Sequence, residues 1–214
     1  MARNGIDSGV DPARILIFAK APQSGRVKTR LIPLLGAPGA AALHARLVEH
    51  TIAAAQSANI GAVELWCAPD TAHPFFAACH ERHGVTLMQQ CAGNIGARMF
   101  DACRRTLAQA GRVILAGSDC PILAASHFRA ADQALRRGDD AVFCPVQDGG
   151  YVLIGLTRCD PSLFAGIAWS TDGVMQSTRD RLARLGWRWR ELATLWDVDR
   201  PEDYERLSHD REPC

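Results

Sequence analysis

Four basic side chains, Lys20, Arg26, Lys28 and Arg30, crowd the stretch Lys20-Ala21-Pro22-Gln23-Ser24-Gly25-Arg26-Val27-Lys28-Thr29-Arg30-Leu31. It directly follows Arg14 to Lys20 (RILIFAK), a short apolar run that reads as a buried first strand. Arg and Lys heads joined to backbone N–H groups are what a pyrophosphate requires, and Gly25 allows close approach of the backbone. Solvated basic loops are common on protein surfaces, but few begin where a first buried strand ends. Lys20, Ala21, Pro22, Gly25, Arg26, Lys28 and Arg30 are therefore candidate nucleotide-binding positions, with Lys28 also a candidate catalytic group. The Lys28-Thr29 pair does not complete a Walker A loop: Val27 stands where the glycine before the lysine belongs, and Pro22 replaces the earlier glycine.

The carboxylates supply the complementary chemistry. Asp119, in Gly117-Ser118-Asp119-Cys120-Pro121, follows an apolar strand, where a carboxylate can hold Mg²⁺ or Mn²⁺ against phosphate oxygens. The competing role, capping the next helix, is disfavoured because that helix starts several residues later. Ser118 joins the nucleotide-binding set. Asp148-Gly149-Gly150 is a tight turn that also makes ordinary hairpins. As an acceptor-side element, its glycines would offer bare backbone to a sugar, and Asp148 could act as a base. Asp197-Val198-Asp199-Arg200-Pro201-Glu202-Asp203 stands at a helix start, and Asp199 is a candidate second metal ligand. Gly93 opens a Gly-Asn-Ile-Gly turn that could cradle a base or ribose through its backbone, or be only a turn. Cys79, His80 and His83 lack a fourth ligand and read as a surface helix. Ser170 or Thr171 would cap a following helix. Trp187 and Trp189 read as core on one strand face.

The elements needed to position these groups alternate along the chain. Strands are expected over 14–20, 63–67, 85–89, 112–117, 141–145, 151–156 and 187–192. Helices are expected from Pro38 through Ala55, then over 72–83, 97–110, 124–137, 172–185 and 201–207. Strands separated by such helices imply right-handed crossovers and a mainly parallel sheet covered on both faces. Ligands of such sheets bind beyond the carboxyl ends of the strands, where the first loop and Asp119 fall, and Asp148 too if its strand is parallel.

Bulk properties narrow the classes. The length of 214 residues fits one α/β domain, read as 14–207 between a flexible segment 1–13 and a tail 208–214. A formal net charge of +1 gives no overall field for nucleic acid or an anionic membrane, so any anion site is local. The start lacks a signal-peptide apolar core, and no uninterrupted run of about 18 apolar residues offers a membrane span. We expect a cytoplasmic protein, a monomer or homodimer. The eight cysteines include no C-x-x-C pair and read as reduced, mostly buried thiols.

Taken in order, FAKAPQSGRVKTRL, GNIGARM, LAGSDCPIL, DGGYVLIGL, AWST and DVDRPEDY resemble the GT-A or nucleotide-diphosphosugar transferase superfamily. The likeness spans nearly all of Arg14 to Leu207 and is nearest to a bacterial glycosyltransferase-like family, some members of which are linked to arsenosugar biosynthesis. The resemblance implies a three-layer α/β/α sandwich with a mainly parallel, mixed sheet. It also implies a nucleoside phosphate on Lys20, Arg26, Lys28 and Arg30, a metal on Asp119 and Asp199, and an acceptor near Asp148 to Gly150. The chain departs from the pattern at Ser24-Gly25, where Pro-Gly is usual, and at Asn94 and Ala97, where acidic residues are usual. No Asp-x-Asp surrounds Asp119, since Gly117 and Pro121 occupy both second positions. A lone aspartate in Ser-Asp-x-Pro also resembles nucleotidyltransferases, including the guanylyltransferases of molybdenum and deazaflavin cofactors.

Three functions follow as expectations. The first is metal-dependent transfer of a sugar from a nucleotide-diphosphosugar to a small-molecule acceptor. The second is guanylyl- or cytidylyl-type transfer from a nucleoside triphosphate to a phosphorylated acceptor. The third is a nucleotide-binding module without catalysis.

Overall fold

The computed structural model describes residues 12–209. One sheet of seven strands organises them: β1 (Ala13–Lys20), β2 (Gly61–Ala68), β3 (Thr86–Gln89), β4 (Val113–Gly117), β5 (Ala141–Pro145), β6 (Tyr151–Leu156) and β7 (Trp189–Glu191), in the spatial order β3-β2-β1-β4-β6-β5-β7. Six helices connect or flank them: α1 (Ile32–Ala58), α2 (Pro74–His83), α3 (Ile95–Leu107), α4 (Ala125–Arg136), α5 (Val174–Leu185) and α6 (Pro201–His209). All pairings are parallel except those of β6 with β4 and β5. The reason is local: β5 and β6 are joined by the tight turn around Asp148-Gly149-Gly150, and so short a connection permits only an antiparallel hairpin. β5 itself runs with β1 and β4, so its following turn lies on their carboxyl edge.

β1 shows how the sequence builds the layers. Ile15 and Ile17 face one side, packing with Val48 and Ile52 of α1, Phe76 of α2 and Phe128 of α4. Leu16 and Phe18 face the other, packing with Met99 and Cys103 of α3 and Met175 and Leu182 of α5. A run apolar at every position is thus read as two alternating faces, both buried. Each large side chain so buried contributes roughly 1.5–3 kcal/mol. The result is the expected three-layer mixed α/β/α sandwich. A third cluster, Leu31, Leu43, Leu47, Trp196, Val198 and Leu207, fastens the end of the first loop and the C-terminal segment onto α1.

Several boundaries differ from the sequence expectation. α1 begins at Ile32, but Gly36 breaks it with φ 68°, ψ 161°, and Pro38 opens the continuous part as expected. By length and composition Thr29–Ala58 would suit a membrane span, yet it carries Arg46 and Glu49 and buries Leu43, Leu47, Val48 and Ile52 in the core. α3 starts at Ile95, because Asn94 caps it by accepting the Ala97 N–H at 2.9 Å. α5 starts at Val174, and neither Ser170 nor Thr171 caps it; Thr171 donates to Ala168 instead. Trp187 is buried as core, but it precedes β7, and Trp189 is 36% exposed on that edge strand. Ala13 already belongs to β1 and α6 continues to His209. Residues 1–11 of the proposed N-terminal segment and 210–214 of the tail, with Cys214, lie outside the described residues.

Cys67, Cys79, Cys103, Cys120 and Cys144 are buried free thiols, and Cys91 and Cys159 are partly so. Burial pushes Cys67 and Cys144 up to about 12, so they remain protonated and unreactive.

Candidate functional site

β1 is followed by β2 and β3 on one side of the sheet, whereas β4 pairs on its other side. The reversal leaves a crevice between the carboxyl ends of β1 and β4, the usual ligand position in an open α/β sheet. Phe18 lies beside Gly117 in the register, so Lys20 and Asp119 leave the sheet side by side. From β1 the loop returns over the crevice, with Gly25 at φ 80° and Lys28 in the left-handed region at φ 47°, ψ 42°. A lysine rarely adopts that conformation, and holding it there costs on the order of 1 kcal/mol. What it secures is the direction of the side chain: Lys28 Nζ lies 2.6 Å from Asp119 Oδ1 and donates to the Val198 carbonyl at 2.6 Å.

Asp119 is gripped on one side only. Its Oδ1 is shut away from solvent while the side chain as a whole is 49% exposed, so the remainder of the carboxyl opens on the crevice. Burial alone would raise its pKa. Burial is the largest single influence, but the charges and hydrogen bonds of Lys28 and His44 together outweigh it and hold the carboxyl well below the usual carboxylate range. His44 projects from α1, donates through Nε2 to the Lys20 carbonyl at 3.0 Å, and brings Nδ1 to 3.8 Å from Asp119 Oδ1.

Val198 ties the C-terminal segment to this centre. Fully buried, it donates its N–H to the Asp119 carbonyl at 2.9 Å and accepts from Lys28. Asp199 pairs with Arg30 and remains 41% exposed. Asp197 is pushed up to about 6, first by burial and then by the negative charge of Asp148 and Asp119. Asp148 therefore belongs to the same electrostatic neighbourhood.

A cavity of about 410 Å³ occupies the crevice. Lys20, Arg26, Lys28, Arg30, Ser118, Asp119 and Asp199 line it, all expected from the sequence, as does Ile95 of the Gly-Asn-Ile-Gly turn; His44, Gln90 and Arg98 also line it and were not expected. Ala21 and Gly25 line an adjoining cavity of about 450 Å³ that shares Lys20, Arg26 and Arg98. Pro22, Gly93 and the Asp148-Gly149-Gly150 turn line neither. Gly93 accepts from Arg98 Nε at 2.9 Å, so its carbonyl orients that arginine. At Gly149 a Cβ would meet the Asp172 carbonyl oxygen at 2.1 Å, and the Gly149 carbonyl accepts from the Met175 N–H at 2.8 Å. The smallness of this residue serves packing. Asp148 Oδ1 accepts the Gly150 N–H at 2.9 Å, shaping the turn.

No cluster of three or more His, Cys, Asp or Glu side chains suited to a metal occurs among the described residues, Cys79, His80 and His83 included. Mg²⁺ is nevertheless commonly held by one or two carboxylates and completed by substrate phosphates. Asp119 and Asp199, partly exposed on one cavity wall, fit that pattern. Asp199 would exchange Arg30 for the cation.

This architecture is that of nucleotide-diphospho-sugar transferases: a seven-stranded mixed, mostly parallel sheet flanked by helices. Residues 51–171 match the family described as "Uncharacterized protein conserved in bacteria (DUF2064)", and the chain belongs to that family. Asp119 and Asp148 fall inside the matched segment; the basic loop and Asp199 fall outside it. No curated protein matches the sequence. Among solved structures, a protein of Desulfovibrio desulfuricans G20, provisionally named a nucleotide-diphospho-sugar transferase, superposes with a TM-score of 0.84 at 28% identity, over 94% of this chain and 87% of its own. CMP:2-keto-3-deoxy-manno-octonic acid synthetase, complexed with CTP, has a TM-score of 0.58 at 16% identity, over 92% of this chain and 97% of its own. Rv0371c of Mycobacterium tuberculosis H37Rv, in complex with manganese, has a TM-score of 0.54 at 20% identity, with the same coverages of 92% and 97%. The last two show a shared fold alone.

Proposed function

We propose that the chain is a metal-dependent transferase that takes a sugar from a nucleotide-diphosphosugar donor. The observation that carries this is the 2.6 Å contact between Lys28 and Asp119 at the edge of a cavity also lined by Lys20, Arg26, Arg30 and Asp199. Cationic side chains and metal-competent carboxylates thereby grip one space from several sides. The likeness at 28% identity to the Desulfovibrio protein supports the same chemistry. Lys20, Arg26 and Arg30 would bind the diphosphate, and Lys28 would stabilise negative charge on it as it departs. Asp119 and Asp199 would hold Mg²⁺ or Mn²⁺, which when bound neutralises charge on the leaving phosphate.

The acidic groups beside the site favour this reading over nucleotidyl transfer. Asp197, Asp148 and Asp119 place negative charge close together. That grouping suits a neutral hydroxyl and disfavours a phosphorylated acceptor. The lone aspartate in Ser118-Asp119-Cys120-Pro121 keeps nucleotidyl transfer as the second reading. The test incubates the protein, with Mg²⁺ or Mn²⁺, with a panel of nucleotide-sugars and, separately, nucleoside triphosphates. Release of a nucleoside diphosphate from a nucleotide-sugar is the expected result. Pyrophosphate release from a triphosphate with a phosphorylated acceptor would transfer the assignment to the second reading. Metal-dependent binding without turnover of any donor would make the chain a nucleotide-binding module.

A further inference from the structure

The register ties β1 to β4 as far as the pair Phe18–Gly117 and no further. Lys20 and Asp119 each lie two residues beyond that pair, so no sheet hydrogen bond between the strands fixes their separation. Yet one opens the basic loop and the other is the metal-competent carboxylate. A cation that joins Asp119 to a phosphate held by the loop requires that separation to be constant.

His44 is placed to hold it. It projects from α1, where Leu43 and Leu47 are 1% and 2% exposed, so its backbone is anchored in the core. Two of the buried side chains of α1 are polar, His44 and Thr51, and they behave differently. Thr51 returns its hydroxyl to the Leu47 carbonyl of its own helix at 3.0 Å. His44 reaches out of the helix: Nε2 donates to the Lys20 carbonyl at 3.0 Å, and Nδ1 stands 3.8 Å from Asp119 Oδ1. One ring thus spans the two strand ends that the sheet leaves untied. The carbonyl only accepts, so it fixes a proton on Nε2 and with it the pose of the ring. Packing does not ask for a histidine there. A leucine in that stripe would bury apolar surface without a polar atom to satisfy.

Resting on the reading that this cavity binds a phosphate chain together with a divalent cation, we infer that His44 is a positioning residue, a strut that sets the distance between the anion-binding loop and Asp119. It acts through Lys20 and Asp119 rather than on the ligand. Its removal leaves each half-site able to bind alone and weakens their cooperation. By linkage, the factor by which Mn²⁺ strengthens anion binding equals the factor by which the anion strengthens Mn²⁺ binding, so one ratio reports the strut.

The test measures binding of inorganic tripolyphosphate, with and without Mn²⁺, to the full chain as wild type, His44→Leu, His44→Gln and Asp119→Asn. The last lacks the metal carboxylate and gives the baseline gain from cation carried by tripolyphosphate itself. Above that baseline, Mn²⁺ is expected to strengthen binding to the wild type roughly tenfold. His44→Leu should match the wild type on metal-free tripolyphosphate and lose most of that gain. His44→Gln, whose amide nitrogen takes the place of Nε2 on the Lys20 carbonyl, should recover it. A His44→Leu that keeps the full gain, or a His44→Gln that loses it equally, overturns the inference. So does an equal loss of affinity with and without Mn²⁺, which is what a merely structural role would give. A wild type that binds metal-free tripolyphosphate but gains nothing over Asp119→Asn sinks the metal-dependent reading, and the inference with it. Should His44→Leu fail to fold, His44→Asn replaces it with the same expectations, since its shorter amide does not reach the Lys20 carbonyl.

Discussion

Asp132 and Asp119 are each held against a cation, but their surroundings assign them opposite duties. Asp132 on α4 is 5% exposed, and both its oxygens are taken: Oδ1 accepts from Arg112 at 2.8 Å and Oδ2 from Arg136 at 2.6 Å. Arg112 precedes β4, at the end of the strand remote from the crevice, and no oxygen of Asp132 is left over for a ligand. Asp119 follows β4 at its other end, with one oxygen on Lys28 and the rest of the carboxyl open to the cavity. A carboxylate with both oxygens taken orders the fold. A half-saturated one keeps capacity for a partner that arrives later.

The contrast can be broken most sharply at Asp132. Asp132→Ala leaves Arg112 buried without its carboxylate, and about 3–5 kcal/mol of stability should be lost in urea unfolding. The folded fraction should retain the wild-type affinity for tripolyphosphate. Unchanged stability would show that the closed pair does not order the fold. Lys28→Ala should do the reverse: turnover falls roughly 10²–10³-fold, while the unfolding midpoint moves far less than in Asp132→Ala. A variant that turns over normally would remove Lys28 from the chemistry.

A smaller effect sharpens the electrostatics of the open site. Asp197 has its folded pKa raised to about 6, so between about pH 4 and 6 the folded metal-free chain binds the proton that the unfolded chain releases. Asp197 thus makes stability fall as pH rises through that window. Asp119, with a depressed pKa, acts in the other sense: its contribution is present above about pH 4 and is lost below it. Urea unfolding from pH 4 to 7 should show the fall attributed to Asp197 disappear in Asp197→Asn. Persistence of that slope would assign it to another group.

The convergence of Lys20 and Asp119 was legible because both follow short apolar runs, and parallel strands carry their ends to one edge. Asp199 was legible from the pattern Asp-x-Asp-x-Pro. His44 was not: it sits in the apolar stripe of α1 between Leu43 and Leu47, and its partners Lys20 and Asp119 are distant in sequence. A lone polar residue on a buried helix face was the available signal. Gln90 is ambiguous for a similar reason, since its amide is oriented by carbonyls of two other strands. The Asp148 turn was recognised, but the packing of Gly149 was not legible, because the backbone of Asp172 that crowds it is contributed by a later loop.

Val198 joins the last wall of the cavity to a lysine that precedes it by 170 residues. During synthesis the basic loop leaves the ribosome well before Val198, and its lysine has no such carbonyl to rest against until that residue has emerged. Closing so long a loop is entropically costly and is repaid only when Trp196, Val198 and Leu207 settle on α1. A nascent chain therefore cannot complete the Lys28 contact before that segment is out, and a product cut short before Trp196 would lack it however well the sheet had formed.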